Sequence, residues 1–176
     1  MNPADEVGTL SKRFSDRSSD GVDETRFRDV LGYFATGVTV VTAIEDAGPV
    51  GFTCQAFTSL SLDPPMVALA AAKTSTSWPR IAEAGWFCVN ILADDQDGLC
   101  RAFAVSGSDK FRGVEWSPGT NGVPRLDGVI AYVDCELIAI HDAGDHELVT
   151  GKVVDLGTGP GKPLLFYRGE FGTIDT

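Results

Sequence analysis

The chain has 176 residues, which suits one domain and would cramp two. Hydrophobic residues make up 43% and charged residues 22%, a globular composition that excludes a disordered or collagen-like chain and lets a core form without disulfides or metal. Fourteen Lys and Arg against 25 Asp and Glu give a net charge of −11, which argues against a nucleic-acid backbone or an anionic membrane as partner.

Residues 1–22 are polar, rich in Ser and Asp and without periodicity, so they read as a mobile tail ahead of a domain spanning 23–176. They contain no apolar stretch of the kind a secretory signal needs. The most apolar runs, Val38–Ile44 and Met66–Ala72, fall far short of the ~20 residues of a membrane helix. Cys54, Cys88, Cys100 and Cys135 form no C-x-x-C pair, so reduced thiols in a cytoplasmic protein, without bound metal, are expected.

Phe27, Val30, Leu31 and Phe34 recur at helical spacing, with Asp23 as a candidate cap and Gly37 as the stop. Val38–Ile44 is rich in Val and Thr and predicts a strand. Asp46-Ala47-Gly48-Pro49 is turn chemistry, and Val50 begins a second strand, completing a hairpin. Met66–Ala72 is wholly apolar, hence a buried strand. A short helix is expected near Trp78 and Pro79, closed by Gly85, followed by a strand over Trp86–Leu92 and a helix over Asp94–Ala104. Residues 105–127 read as a long connection rich in Gly, Ser and Pro. Long strands over Val129–Ile140 and Glu147–Leu156 are joined by the segment His141 to His146. Strands over Pro163–Tyr167 and Phe171–Ile174 end the chain. Six or seven strands joined mostly by short turns predict a mainly β, antiparallel barrel with a few peripheral helices.

Four segments bear on chemistry. Gly157-Thr158-Gly159-Pro160-Gly161-Lys162 resembles a phosphate loop but fails both nucleotide templates, since Leu156, Lys162 and Pro163 stand where they require other residues. Lys73-Thr74-Ser75-Thr76-Ser77 joins a buried strand to a helix. Ser77 is either a helix cap alone or a cap that also meets an anion, with Lys73 and the helix dipole as positive ends. Gly51 to Phe57 offers small and amide side chains beside backbone suited to a flat polar heterocycle. Cys54 within it has no His nearby in sequence to lower its pKa. His141 and His146 lie in a turn, not on one helix face, so a metal-binding pair is not expected.

Taken in order, several segments match a known family. They are Phe27-Arg28, Phe34 to Thr42, Pro49 to Phe57, Ser59 to Pro65, Lys73 to Trp78, Phe87 to Leu92, Asp109-Lys110-Phe111, Gly144-Asp145-His146 and Pro163 to Gly169. The chain resembles the flavin reductases of the FMN-binding split-barrel type, which include the reductase components of two-component flavin-dependent aromatic monooxygenases. The resemblance implies a split β-barrel homodimer that passes hydride from NADH or NADPH to FMN or FAD and supplies a separate monooxygenase. A flavin carrier or sensor without turnover is the alternative on the same barrel. The resemblance further implies that Pro49, Val50, Gly51, Phe52, Thr53, Cys54, Gln55 and Ala56 line the isoalloxazine, and that Ala70, Ala71 and Ala72 pass beneath it. Ser75, Thr76 and Ser77 would meet its phosphate, and Ala102 and Phe103 would close the pocket. His146 would approach the nicotinamide as the catalytic residue, with Tyr167 near the same pocket. Because the cofactors carry the reaction chemistry and the protein aligns them, two histidines and no catalytic triad suffice.

Overall fold

The structure is a computed structural model that describes residues 22–107 and 109–174; the expected tail lies outside these residues except for Val22. Two compact units divide the chain, one reaching to Phe34 and the other beginning at Ala35. In the first, helix α1 (Glu24–Leu31) is capped by Asp23, whose Oδ1 accepts from the Arg26 N–H at 2.8 Å. The helix ends at Gly32, earlier than the expected Gly37, and Thr36–Gly37 instead forms the short strand β1. The three-residue gap from Gly32 disguised this stop, because Phe34 continues the apolar spacing without being helical.

Strand β1 belongs to the second unit, whose other strands are β2 (Thr39–Glu45), β3 (Gly48–Cys54), β4 (Phe57–Leu62), β5 (Pro65–Ala72), β6 (Trp86–Ile91), β7 (Trp116–Pro118), β8 (Pro124–Leu126), β9 (Ala131–Ala143), β10 (His146–Thr158), β11 (Leu165–Tyr167) and β12 (Glu170–Gly172). Helices α2 (Trp78–Ala84) and α3 (Asp97–Ala104) interrupt them, and Gly85 closes α2 in the left-handed region at φ +73°. Seven strands form one antiparallel sheet in the order β3-β2-β6-β9-β10-β5-β4, and β1-β11-β12 form a small second sheet.

The topology rolls the large sheet. Its two edge strands, β3 and β4, are separated in sequence by only Gln55 and Ala56. Laid flat, seven strands at ~4.8 Å spacing would hold those edges about 29 Å apart. The three peptide steps from Cys54 to Phe57 reach at most about 11 Å. The sheet therefore curls into an antiparallel barrel, and the Ala70 N–H bonding to the Ala56 carbonyl at 3.0 Å marks where the seam meets β5.

The core fills both faces of β2. Val41 and Ala43 point into the barrel with Val50, Phe52, Leu69, Phe87, Val89, Cys135 and Val149, while Val40 packs outside with Val38, Leu92, Cys100, Phe103 and Leu164. Burial on both sides explains why β2 reads as a continuous apolar run rather than an alternating one. The β9–β10 hairpin turns at Gly144 and Asp145 alone, with Gly144 at φ +75°, so both strands are longer than the sequence predicts.

The connection 105–127 is not structureless. It contains β7, a 3₁₀ turn (Thr120–Gly122) and β8, which are anchored to the sheet by buried polar groups. Asn90, fully buried, donates to the Val40 carbonyl at 3.1 Å and the Thr42 hydroxyl at 3.0 Å and accepts from the Leu126 N–H at 2.8 Å. Asp134, also fully buried, accepts from the Thr120 N–H at 2.7 Å and pairs with Arg125 at 2.5 Å. Strands of three residues are too short to show a period, which is why composition alone gives a loop here.

Candidate functional site

Side chains alternate along β3. Val50, Phe52 and Cys54 enter the barrel core, which leaves Pro49, Gly51, Thr53 and Gln55 on the outer face. Helix α3 packs on that face so closely that a Cβ at Gly51 would sit 2.8 Å from Phe103 Cε1 and 3.0 Å from the Val41 carbonyl. Glycine at this position thus lets α3 dock and leaves β3 backbone bordering a cavity. That cavity is about 390 Å³ and is lined by Pro49, Val50, Gly51, Thr76, Ser77, Arg80, Gly107, Asp109, Lys110 and Phe111. Its volume suits a small-molecule ligand.

Lys110 is its central charge. The ammonium donates to the Phe103 carbonyl at 2.9 Å, the Gly51 carbonyl at 3.1 Å and the Ser77 hydroxyl at 3.3 Å. Burial, and then the neighbouring charge of Arg80, holds Lys110 below the ordinary lysine value of 10.5. Arg80 projects from α2 and is paired with Glu45, its Nε lying 2.9 Å from the carboxylate. Two cations and the hydroxyls of Thr76 and Ser77 around one cavity make a donor set suited to a phosphate.

Ser77 holds the expected N-cap position at the start of α2, but its side chain does not do the capping. Ser77 has helical φ and ψ and makes no capping bond. Ser75 Oγ accepts from the Trp78 N–H at 3.1 Å instead, freeing the buried Ser77 hydroxyl for Lys110. Lys73 is also not at the cavity. Its ammonium is paired with Asp142 and donates to the Gly144 carbonyl at 2.6 Å, so the positive end there belongs to Lys110 and Arg80. Lys110 was visible within Asp109-Lys110-Phe111, but its separation of 33 residues from Ser77 hid the contact.

A second group of residues meets on the outer face of β5 and β10. Ala71 points into the core, so Ala70 and Ala72 point out. Register pairs Ala72 with His146 and Ala70 with Leu148, and paired residues share a face. His146 and Leu148 therefore stand on the outer face beside Ala72 and Ala70. His146 Nδ1 lies 2.7 Å from Asp145 Oδ1, and the imidazole is part-exposed.

The remaining candidates divide by what the fold does with them. The Thr53 hydroxyl donates to the Cys100 carbonyl at 2.6 Å, which holds α3 in place. Cys54 is buried, and burial pushes its thiol up to about 12, so it is neither a nucleophile nor a side-chain ligand. Phe52 and Ala71 are likewise core residues whose side chains face away from the outer surface. Ala56 is exposed at the seam, and the Gln55 amide donates to the Thr36 hydroxyl at 2.7 Å, which ties it to β1. Ala102 is exposed on α3 while Phe103 is fully buried beneath Gly51, so the two do not close a pocket together as side chains. Tyr167 lies on β11 in the small sheet and does not line the cavity.

The antiparallel barrel thus carries an ammonium and hydroxyl cavity at the start of α2 and, on the outer face of β5 and β10, Ala70 and Ala72 with His146. Residues 31–175 match the family described as the flavin reductase like domain. The reductase subunit HsaB of a flavin-dependent monooxygenase from Rhodococcus jostii is 46% identical over 159 residues, covering 90% of this chain and 82% of that one. The crystal structure of nitrilotriacetate monooxygenase component B from Mycobacterium thermoresistibile superposes with a TM-score of 0.84 at 46% identity, covering 89% of each chain. The NADH:FAD oxidoreductase SgcE6 of Streptomyces globisporus, solved with NAD and FAD fragments, gives a TM-score of 0.82 at 34% identity over 87% of this chain and 93% of that one. The chain belongs to the flavin reductase family and has its split-barrel fold. It is an oxidoreductase acting on flavin. No helix among the described residues is long and apolar enough to cross a membrane.

Proposed function

We propose that residues 23–176 form a domain that holds FMN or FAD and NADH or NADPH together and delivers reduced flavin to a separate monooxygenase. The observation that carries the flavin site is the convergence of Lys110, Arg80, Thr76 and Ser77 on one cavity in a chain of net charge −11. So acidic a protein attracts an anionic cofactor only where cations are concentrated. The phosphate is assigned to these four residues, with Ser75 supporting the turn. The ring system is assigned to the backbone of Pro49–Ala56 and to the outer strip of Ala70 and Ala72, whose own side chains are single methyl groups. His146, paired with Ala72, is the residue of this set assigned to the nicotinamide.

The nicotinamide supplies a hydride and the flavin accepts it when both are bound. The protein's part is orientation. Lys110 and Ser77 fix one end, the β3 backbone fixes the plane, and His146 limits where the second ring lies. Holding two partners in register lowers the barrier without a strong acid or base. A homodimer agrees with the apolar side chains left exposed on the barrel, among them Leu60, Leu62, Ile138 and Leu156.

Steady-state oxidation of NADH and NADPH with added FMN, FAD or riboflavin tests the reading. Turnover with flavin is expected, and its absence despite tight flavin binding would make the protein a carrier or sensor. The variant His146→Ala is expected to raise KM for the nicotinamide more than for flavin, and an unchanged nicotinamide KM and rate would remove His146 from the site.

A further inference from the structure

We propose that Lys73 is a positioning residue for His146, an inference that rests on the assignment of His146 to the nicotinamide. The turn that carries His146 consists of two residues, Gly144 and Asp145, and Lys73 donates to both of their carbonyls. Its ammonium lies 2.6 Å from the Gly144 oxygen and its backbone N–H 3.0 Å from the Asp145 oxygen. The ammonium also pairs with Asp142 on β9, so one side chain ties the end of β9 to the turn. A second staple follows five residues later, where Trp78 Nε1 donates to Glu147 Oε2 at 2.5 Å. Between the staples lie Thr74, Ser75, Thr76 and Ser77, two of which line the cavity.

The segment 73–78 and the turn 142–147 thus form one unit, with cavity hydroxyls on one side and the imidazole on the other. Asp145 Oδ1 meets His146 Nδ1 at 2.7 Å, so the ring direction follows the turn. Two-residue turns with exposed tips are mobile unless their backbone groups are taken up. Lys73 takes up both carbonyls. Its ammonium is therefore assigned to holding the imidazole in place, and not to an anion.

The test uses the full chain and four variants, Lys73→Met, Lys73→Arg, His146→Ala and the double variant Lys73→Met with His146→Ala. Lys73→Met keeps the backbone N–H and the stem but loses the ammonium. It is expected to lower kcat/KM for NADH about three- to tenfold, the range for one partly exposed charged contact. The FMN dissociation constant should stay within about twofold. Lys73→Arg should recover most of the loss. Without any ligand, the His146 imidazole signals in a proton–nitrogen NMR spectrum should shift and broaden in Lys73→Met and return in Lys73→Arg.

In the double variant, removing Lys73 should add nothing to the loss from His146→Ala. A wild-type kcat/KM and unchanged imidazole signals in Lys73→Met, with His146→Ala impaired, would overturn the positioning role while leaving the His146 assignment intact. Full additivity in the double variant would also overturn it. Wild-type kinetics in His146→Ala would overturn the His146 assignment itself, and this proposal with it.

Discussion

The phosphate assignment stands or falls on Lys110. Replacing it by Met keeps an unbranched apolar stem and removes one charge and three hydrogen bonds, to Gly51 and Phe103 carbonyls and to Ser77. A hydrogen bond to a charged group contributes about 1.5–3 kcal/mol. At about 1.4 kcal/mol per decade, FMN should bind roughly ten- to a hundredfold more weakly to Lys110→Met. Riboflavin has the same rings and ribityl chain but no phosphate, so its affinity should fall less than about threefold, the part due to loosening of the Gly51 and Phe103 carbonyls. Titrating the quenching of flavin fluorescence with both ligands measures the difference, and raising the salt concentration should narrow it for the native protein. The sign with pH is fixed by the depressed value of Lys110. FMN affinity should decline with rising pH before the 10.5 of an ordinary lysine, whereas riboflavin affinity should not. Equal losses for FMN and riboflavin would show that Lys110 only braces the backbone and does not meet phosphate.

Three further outcomes follow from the same contacts. Ser77→Ala removes a neutral hydroxyl and should weaken FMN binding only about two- to tenfold, again sparing riboflavin; loss of both alike would exclude a phosphate contact. Asp134→Asn should destabilise the barrel by about 3 kcal/mol in urea unfolding at neutral pH, because it leaves the Arg125 guanidinium without its buried partner. Burial pushes the Asp134 carboxyl up, but Arg125 and the Thr120 N–H outweigh it and hold the group below its ordinary value. The native advantage is therefore present at neutral pH and lost as pH falls below the carboxylate range, so a gap that does not shrink in acid would refute the ion pair's role. Buried Cys54 and Cys135, pushed up to about 12 by burial, should resist alkylation at pH 8 until denaturant is added, and prompt native labelling would contradict their placement.

The barrel was legible because its strands announce themselves by composition and its turns by Gly, Pro and Asp. The segments 38–44, 66–72 and 86–92 were placed nearly to the residue. The division of the second strand into β3 and β4 was not, since Gln55 and Ala56 carry no turn signal and only the barrel's closure bends the chain there. The site divides similarly. Pro49, Val50, Gly51, Thr76 and Ser77 do share a cavity, and Ala72 and His146 do stand side by side. What stayed hidden depends on contacts between distant residues: Lys110 reaching Ser77, Arg80 turned toward the same space, Lys73 claimed by the hairpin turn. A lysine's partner is set by the fold, and a strand of unknown neighbours does not reveal it.

The rolled sheet also dictates when this protein can become itself. Residues 49–77 are made early, yet their strand β5 is completed by β10, with Met66 opposite Lys152 and Ala72 opposite His146. Such distant pairings close large loops before they return any contact energy, so folding is slow relative to helical proteins of this size. During synthesis β5 and β6 must each wait with one edge unpaired until the β9–β10 hairpin emerges from the ribosome. The β9–β10 hairpin, whose contacts are local in sequence, is made after all the strands it joins and is able to form on its own timescale once both its strands are out. Maturation of the cofactor site thus waits on that hairpin, and a nascent chain halted before it holds Ala70 and Ala72 without the strand that sets His146 beside them.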